Sequence, residues 1–215
     1  MRPYLILLGA VIVTGCGAEG APSDNPPASV RERLESEPTR LLMSSADSAG
    51  TITASLRDHE GWRAGLVDLA VTDGEFVVSA DSAGAITVER FGVGLAPIAI
   101  PESVFGHAAE LRDVRVAIAG PTTVSAPTWT ANDDAASATA SFELTLSWKL
   151  AVDGSTIPLG SPSLPPVPVD FALSGDGNVV QGELRIHQAG ELWSWADVVK
   201  LEDLSLVLSA STLGL

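Results

Sequence analysis

Alternating apolar and polar residues between positions 142 and 152 give the clearest structural pattern in this chain. Apolar side chains occupy every second position there, and the positions between them are Glu143, Thr145, Ser147, Lys149 and Ala151. Successive side chains of a β-strand point to opposite faces, so this period of two predicts a strand with one face against a core. At about 3.3 Å per residue, the strand would be about 36 Å long.

Shorter segments repeat this pattern along the chain. We predict further strands at 51–57, 66–71, 75–79, 85–93, 111–119, 167–173, 179–187 and 201–208. Asp73-Gly74, Asp153-Gly154 and the run 175–178 stand between such segments, and their residues tolerate the positive φ of tight hairpin turns. The chain has no regular alternation of strands and helices. The pattern therefore predicts an all-β fold, either an antiparallel β-sandwich or an open β-barrel, with one or two short helices.

Three segments lack the alternation. Ser29 and Glu32 have the spacing of a helix capping box, which predicts a short helix that ends before Pro38. Residues 101–110 indicate a turn of helix and 192–200 a short helix capped by Ser194, and both would cover a barrel mouth or a sandwich edge. The proline-rich run 158–168 is expected to be an edge or a loop, because proline lacks the donor that a central strand needs.

The first sixteen residues have the pattern of a bacterial export signal. Arg2 precedes a short apolar run, and Cys16, the only cysteine of the chain, follows small residues. The motif Val13-Thr14-Gly15-Cys16 resembles the lipobox of bacterial lipoproteins, which implies that residues 1–15 are removed and that Cys16 carries acyl chains. An ordinary secretory signal is the alternative. A membrane span needs about 20 apolar residues, and this run ends at Gly15.

The lipobox resemblance divides the chain into three parts. They are a signal peptide at 1–15, a lipidated cysteine with a flexible tether at 16–40, and a β domain at 41–215. The resemblance implies a protein of the cell envelope that reaches its membrane through the acyl chains of Cys16. Gly17 at the next position resembles outer-membrane sorting, so we expect the periplasmic face of the outer membrane.

Charge narrows the range of partners. The chain has 12 Lys and Arg residues against 27 Asp and Glu residues, a formal net charge of −15 at pH 7. Nucleic-acid binding depends on basic clusters that contact phosphates, so we exclude nucleic acid as a partner. A single cysteine also excludes an intramolecular disulfide.

A six-residue phrase, Leu-x-Asp followed by apolar-x-apolar, occurs at 66–71, 111–116 and 201–206. It is similar to the strand phrase of the elongated β-groove lipid carriers of bacterial envelopes, the AsmA-like group. This similarity implies a groove for lipid, and no functional residue is transferred from it. Ordinary strand starts, with an aspartate near the rim of a sheet, produce the same phrase.

The sequence contains no recognisable set of catalytic or metal-binding residues. His59, His107 and His187 have no histidine partner at metal-ligand spacing, Asp133-Asp134 and Asp176 lack the spaced oxygen ligands of a calcium loop, and no Gly-x-Ser-x-Gly motif occurs. We therefore predict no catalytic residue, no metal and no cofactor, and we do not expect an enzyme.

Trp193 and Trp195 are the candidate contact residues for a ligand or an interface. They flank Ser194, and they would share one face if this segment is a strand. As core residues they would instead close the last strand. With the anchor and the long strand, they favour non-catalytic binding of an apolar ligand or lipid. The alternatives are an acidic protein-interaction module of the envelope and an unrecognised hydrolase.

Overall fold

The structure, a computed structural model, describes residues 28–58, 60–100, 102, 106–124, 126–160, 162–195 and 199–212. The predicted signal peptide, Cys16, residues 17–27 of the tether and His59 lie outside these ranges. Within them, no helix combines the length and the apolar character that a membrane crossing requires.

The described residues form one short helix and fourteen strands. The helix is α1 (Val30–Ser36). The strands are β1 (Thr39–Met43), β2 (Ala49–Asp58), β3 (Gly61–Ala80), β4 (Ile86–Leu95), β5 (Ile98–Ile100), β6 (Ala109–Ile118), β7 (Thr122–Val124), β8 (Thr128–Trp129), β9 (Ala135–Phe142), β10 (Leu144–Val152), β11 (Ser155–Pro158), β12 (Val167–Asp176), β13 (Val179–Trp195) and β14 (Val199–Ser211).

All fourteen strands belong to one antiparallel sheet, and the sheet closes on itself. Its hydrogen-bonded order is β11-β10-β6-β4-β3-β1-β14-β13-β12-β9-β8, and β2 lies beside β1 between β3 and β14. β10 near one end of this order and β9 near the other are consecutive in the chain, separated only by Glu143. Because β9 and β10 form one long segment, the pairings run around a complete ring.

Along the chain, the ring consists of eight long segments that each pair with the next. Five segments each consist of consecutive strands: β1 with β2, β4 with β5, β6 with β7 and β8, β9 with β10, and β11 with β12. The other three segments are the single strands β3, β13 and β14. The last segment pairs with the first through β14 and β2. An antiparallel ring of eight strands has an interior that side chains can fill or that can hold one small ligand.

The predicted all-β class and antiparallel pairing are confirmed, and the ring corresponds to the barrel alternative except that it is closed and not open as predicted. Ser29 caps α1 as predicted: its hydroxyl accepts the backbone N–H of Glu32, and the Glu32 carboxylate accepts the Ser29 N–H. Asp153 and Gly154 form the predicted turn with φ of 47° and 81°. The proline-rich run lies along β10 without forming a continuous strand: besides β11 and an isolated bridge at Ser163, single backbone hydrogen bonds join Leu159, Pro162 and Leu164 to it.

Two local predictions were wrong. Asp73 and Gly74 do not form a hairpin turn, because β3 continues through them with a bulge between Val71 and Asp73. Gly74 is required there because a Cβ would collide with the Met43 side chain. Ser194 does not cap a helix, since β13 extends to Trp195. Residues 196–198 lie outside the described residues, as do 101 and 103–105 of the predicted helical turn at 101–110. Of the rest of that turn, the Gly106 N–H donates to the Glu102 carbonyl, and β6 begins at Ala109.

Two of the three recurring phrases are β-bulges. Asp113 in β6 and Asp203 in β14 both have a φ of 52°, which aspartate tolerates better than most residues. Each bulge shifts the strand by one residue, so that Leu111, Val114 and Val116 face inward in β6 while Asp113 is exposed. Leu201, Leu204 and Leu206 do the same in β14. The third phrase, at 66–71, follows regular alternation from Val67 onward.

Large side chains fill the half of the ring that adjoins α1, here called the filled half. Phe76 of β3 meets Phe171 of β12 at a ring-centroid distance of 6.2 Å, and Phe91 of β4 meets Phe142 of β9 at 6.3 Å. β3 and β12 lie on opposite sides of the ring, so the first pair meets across the interior, whereas a single segment separates β4 from β9. Phe76 and Phe142 are fully buried.

The short helix α1 closes the end of the filled half. Val30 and Leu34 on its inner side are each 1% exposed and belong to the same core. Gly175 in β12 makes room for this contact, because a Cβ there would lie 2.8 Å from Val30 Cγ2. Outside, Arg31 lies 3.7 Å from Asp133 and donates to the Ser82 carbonyl, which ties the helix to two chain connections at this end of the ring.

Candidate functional site: an apolar cavity inside the ring

The half of the ring away from α1, here called the hollow half, contains a cavity of about 220 Å³. All eight segments contribute two or more side chains to its wall, among them Val67 of β3, Leu146 of β10 and Leu201 of β14. An engineered apolar cavity of about 150 Å³ stays free of water and binds benzene or xenon. This cavity is therefore large enough for a small molecule or one end of an acyl chain.

The composition of the wall explains why the hollow half is not filled. Its lining is mainly Leu, Val, Ile and Ala, and all four described phenylalanines lie in the filled half. The β-bulges at Asp113 and Asp203 both lie in the hollow half, and each is paired with a lining residue on the neighbouring strand. Asp113 and Val114 are opposite Trp148, and Asp203 and Leu204 are opposite Ile52. Medium-sized side chains on a bulged wall thus leave the centre empty.

Two tryptophans meet on one side of this cavity. Trp148 of β10 and Trp193 of β13 pack edge to face, with ring centroids 4.8 Å apart and an angle of 70° between the rings. In the ring, the segment of β11 and β12 lies between β10 and β13, so the two indoles meet on the inner side of that segment. Trp148 is 5% exposed, and its indole N–H has no hydrogen-bond partner.

Polar groups in the wall are few. Ser55 lines the cavity and is 5% exposed, and its hydroxyl donates to the Glu202 carboxylate at 3.0 Å. No Lys, Arg, His, Asp or Glu is among the described lining residues. The described lining residues therefore give the cavity an almost wholly apolar surface, which suits an apolar body.

Two comparisons with known proteins found no match. No protein-family model and no curated protein matches this chain.

Charged residues at the outside of the hollow half form small ion-paired groups. Lys200 Nζ lies 3.1 Å from Glu191 and 4.7 Å from the ring centre of Trp62, a cation–π contact. Hydrogen bonds from Ser194 and Lys200 lower the pKa of the Glu191 carboxyl. Lys149, 2.6 Å from Asp113, lowers the pKa of the Asp113 carboxyl through a hydrogen bond and its charge.

The sequence-predicted site residues fall in different places. Trp193 lies in the cavity wall, partly buried, and Trp195 is the last residue of β13 with its side chain outside the described part. Cys16 and the lipobox lie outside the described residues. His107 is exposed 3.8 Å from Asp153, and His187 is exposed on β13. Among the residues that the structure describes, no group of three or more His, Cys, Asp or Glu could hold a metal ion.

Sequence reasoning missed Trp148 as a site residue. It appeared only as one of the apolar positions of the long strand. Its role depends on the contact with Trp193 and on the bulge at Asp113, and neither is visible in alternation alone.

Proposed function

We propose that this protein binds one small apolar molecule, or one end of a lipid chain, in the hollow half of the ring without transforming it. The observation that carries the proposal is the cavity of about 220 Å³ with its apolar wall. A core that serves stability alone is packed to the density of an organic crystal, and an empty volume of this size costs free energy of unfolding. A ligand that fills the cavity would recover the missing contacts.

The size of the cavity limits the ligand. Pockets for drug-sized molecules measure about 300–1,000 Å³, so this cavity suits a smaller body. A water molecule occupies about 30 Å³ in the liquid, and the cavity volume corresponds to about seven groups of that size. Seven buried methylene groups at about 0.8 kcal/mol each give an affinity in the range of tens of micromolar.

Asp113 and Glu191 are unsuited to serve as the general acid of a hydrolase. A general acid that works near neutral pH needs a raised pKa, as in a glycosidase. Asp113 and Glu191 have lowered pKa values because of their hydrogen bonds and cationic neighbours, so they stay ionised. They stabilise the surface around the hollow half.

The envelope location is a separate part of the proposal and rests on the residues at 13–16. A lipidated Cys16 would hold the protein at a membrane, which supplies apolar molecules at high local concentration. Mass spectrometry of the protein from its native host tests this part, because a diacylated or triacylated Cys16 at the first position is expected. A retained leader peptide or an unmodified thiol would contradict the anchor without touching the cavity.

Native mass spectrometry tests the binding proposal. The chain from Gly17 to Leu215 contains α1 and all fourteen strands. It is expressed without the anchor, and its mass is recorded before and after extraction with organic solvent. We expect an adduct that the solvent removes and that the extract contains as an apolar compound. A bare mass before extraction, together with no uptake of added alkylbenzenes, would overturn the proposal.

A further inference from the structure

The wall of the hollow half has a seam along one side of β13. The pairing that closes the ring between β12 and β13 ends at Val169 and Ile186, and β13 continues beyond this point. Its residues 187–195 pair with β14 on their other side. β11 and the proline-rich run bond to β10. Among the described residues, no strand pairing or backbone hydrogen bond joins 155–166 to 187–195, and we call this interval the seam.

Both margins of the seam are unsuited to a continuous ladder of hydrogen bonds. Four prolines lie on the side of β11: Pro158, Pro162, Pro165 and Pro166. Proline has no N–H to donate, so within sheets it is confined to edges and bulges. On the other side, β13 shifts register twice between Gln188 and Trp193, and Gly190 has a φ of 81°. Proline on one margin and bulges on the other therefore keep the ladder from closing.

The seam leads into the cavity. Both of its margins supply side chains to the cavity wall: Leu159, Leu164, Leu192 and Trp193. Ile157 of β11 is directly opposite Leu150, a lining residue, so both side chains point to the interior. Ile157 is nevertheless 50% exposed. An inward side chain with half its surface in water shows that the wall is open beside β11.

We infer that the bound molecule is a single-chain amphiphile, whose hydrocarbon chain enters sideways through the seam while its polar head stays outside. The inference rests on the proposed function and names its ligand class. The cavity holds about seven methylene groups and its wall is almost wholly apolar, so a polar head finds no partner inside. The seam removes this limit on length, because the rest of a longer chain lies in the seam and carries the head to the surface.

Chain length and head group should act differently on affinity. With alkylphosphocholines below their critical micelle concentration, each methylene added from hexyl to octyl should tighten binding to the 17–215 chain about fourfold. The gain should fall off beyond octyl, because the added groups lie outside the cavity. Octyl sulfate and octyltrimethylammonium should bind about as tightly as octylphosphocholine at physiological salt, which screens the acidic surface. Calorimetry measures all these affinities.

A nitroxide on the head group locates the head. Ser163 on one margin is bridged to Thr145 of β10, and Ala189 on the other margin is exposed. Asp153, at the end of the hollow half, lies about 26 Å along β10 from Thr145. An octyl chain with a nitroxide head should therefore broaden the amide NMR signals of Ser163 and Ala189 more than those of Asp153 and Gly106. Broadening centred on Asp153 and Gly106 would show entry through the end of the ring and would overturn the inference.

Ile157 and Val207 provide matched variants. Both are exposed apolar residues of strands, at 50% and 39%, but Val207 lies on the outer face of β14 between the buried Leu206 and Leu208. Ile157→Ser should weaken binding of dodecylphosphocholine several-fold and leave that of hexylphosphocholine unchanged, because only the longer chain reaches the seam. Val207→Ser should change neither affinity.

The outcomes separate this inference from the proposed function. If isopropylbenzene binds the 17–215 chain but octyl chains with charged heads do not, the cavity is a closed site, and the inference fails while the proposed function stands. Ile157→Ser without a selective effect on the dodecyl chain would also overturn the inference. If neither isopropylbenzene nor any of the amphiphiles binds, the proposed function itself fails.

Discussion

The two halves of the ring are built from the same eight segments, yet one half is packed and the other is hollow. In the filled half, four phenylalanines meet across the interior and α1 closes the end with Val30 and Leu34. In the hollow half, the wall is Leu, Val, Ile and Ala with two tryptophans on one side. The filled half can therefore supply most of the stability of the fold, which leaves the hollow half free to bind a ligand.

Matched truncations on β13 should show the largest contrast. Leu184 lies in the filled half and Leu192 lines the cavity, and both are buried at 0% and 4% exposure. We expect Leu184→Ala to lower the free energy of unfolding by about 3–5 kcal/mol, because it leaves a new void in a dense core. Leu192→Ala should cost about 1–2 kcal/mol, since this side chain already faces empty space and makes fewer contacts. Denaturant unfolding measures both, and equal losses would break the comparison.

Matched enlargements on β3 should have opposite consequences. Val78 is fully buried in the filled half, and Val67 lines the cavity. Val78→Phe should destabilise the protein by about 1–3 kcal/mol through overpacking. Val67→Phe should change stability by less than about 1 kcal/mol while reducing affinity for isopropylbenzene at least tenfold, because the new ring occupies the cavity. Unimpaired ligand binding in Val67→Phe would show that the cavity is not the site.

Loss of the α1 cap should affect stability alone. Ser29→Ala removes the hydroxyl that accepts the Glu32 N–H and should cost about 1 kcal/mol. Ser29→Asp is the matched control, because aspartate is an equally good cap. Ligand affinity should stay the same in both variants, since α1 covers the other half. A changed affinity in Ser29→Ala would mean that the two halves are coupled.

The charge at the Asp113 bulge should give the smallest effect, and it should depend on pH. Lys149 lowers the pKa of Asp113 in the folded state. The stabilisation that the ionised Asp113 gives is therefore present above the ordinary pKa of the carboxyl and is lost as the pH falls through the lowered value. Asp113→Asn tolerates the same backbone and removes the charge. The stability difference from the unaltered protein should be small at pH 7, should begin to shrink below about pH 4 and should be gone once the pH lies below the lowered pKa of Asp113. A difference that persists in acid would assign it to the backbone instead.

Local periodicity predicted much of the fold. It located the long strand at 142–152, which the structure extends back to Ala135, and it located the turn at Asp153-Gly154 and the capped helix at Ser29. It failed at Asp73-Gly74 because a bulge and a hairpin turn use the same residues. It also failed at 192–195, where Trp193 and Trp195 alternate with Ser194 as strand residues do.

The cavity could not be predicted in the same way. An empty volume depends on which side chains face one another across the ring, and that depends on register and on bulges. The phrases at 111–116 and 201–206 contained a usable signal, because a charged second residue, Arg112 or Glu202, breaks regular alternation, whereas Val67 maintains it at 66–71. The pairing of Trp148 with Trp193 joins residues 45 positions apart and needs the closed ring.

Xenon binding tests the central claim most directly. Crystals of the 17–215 chain under xenon pressure would show where the interior accepts an apolar atom. The account predicts one strong xenon peak between Trp148, Trp193 and Leu201 in the hollow half, and none among the phenylalanines beneath α1. No peak in the hollow half, or equal peaks in both halves, would contradict it.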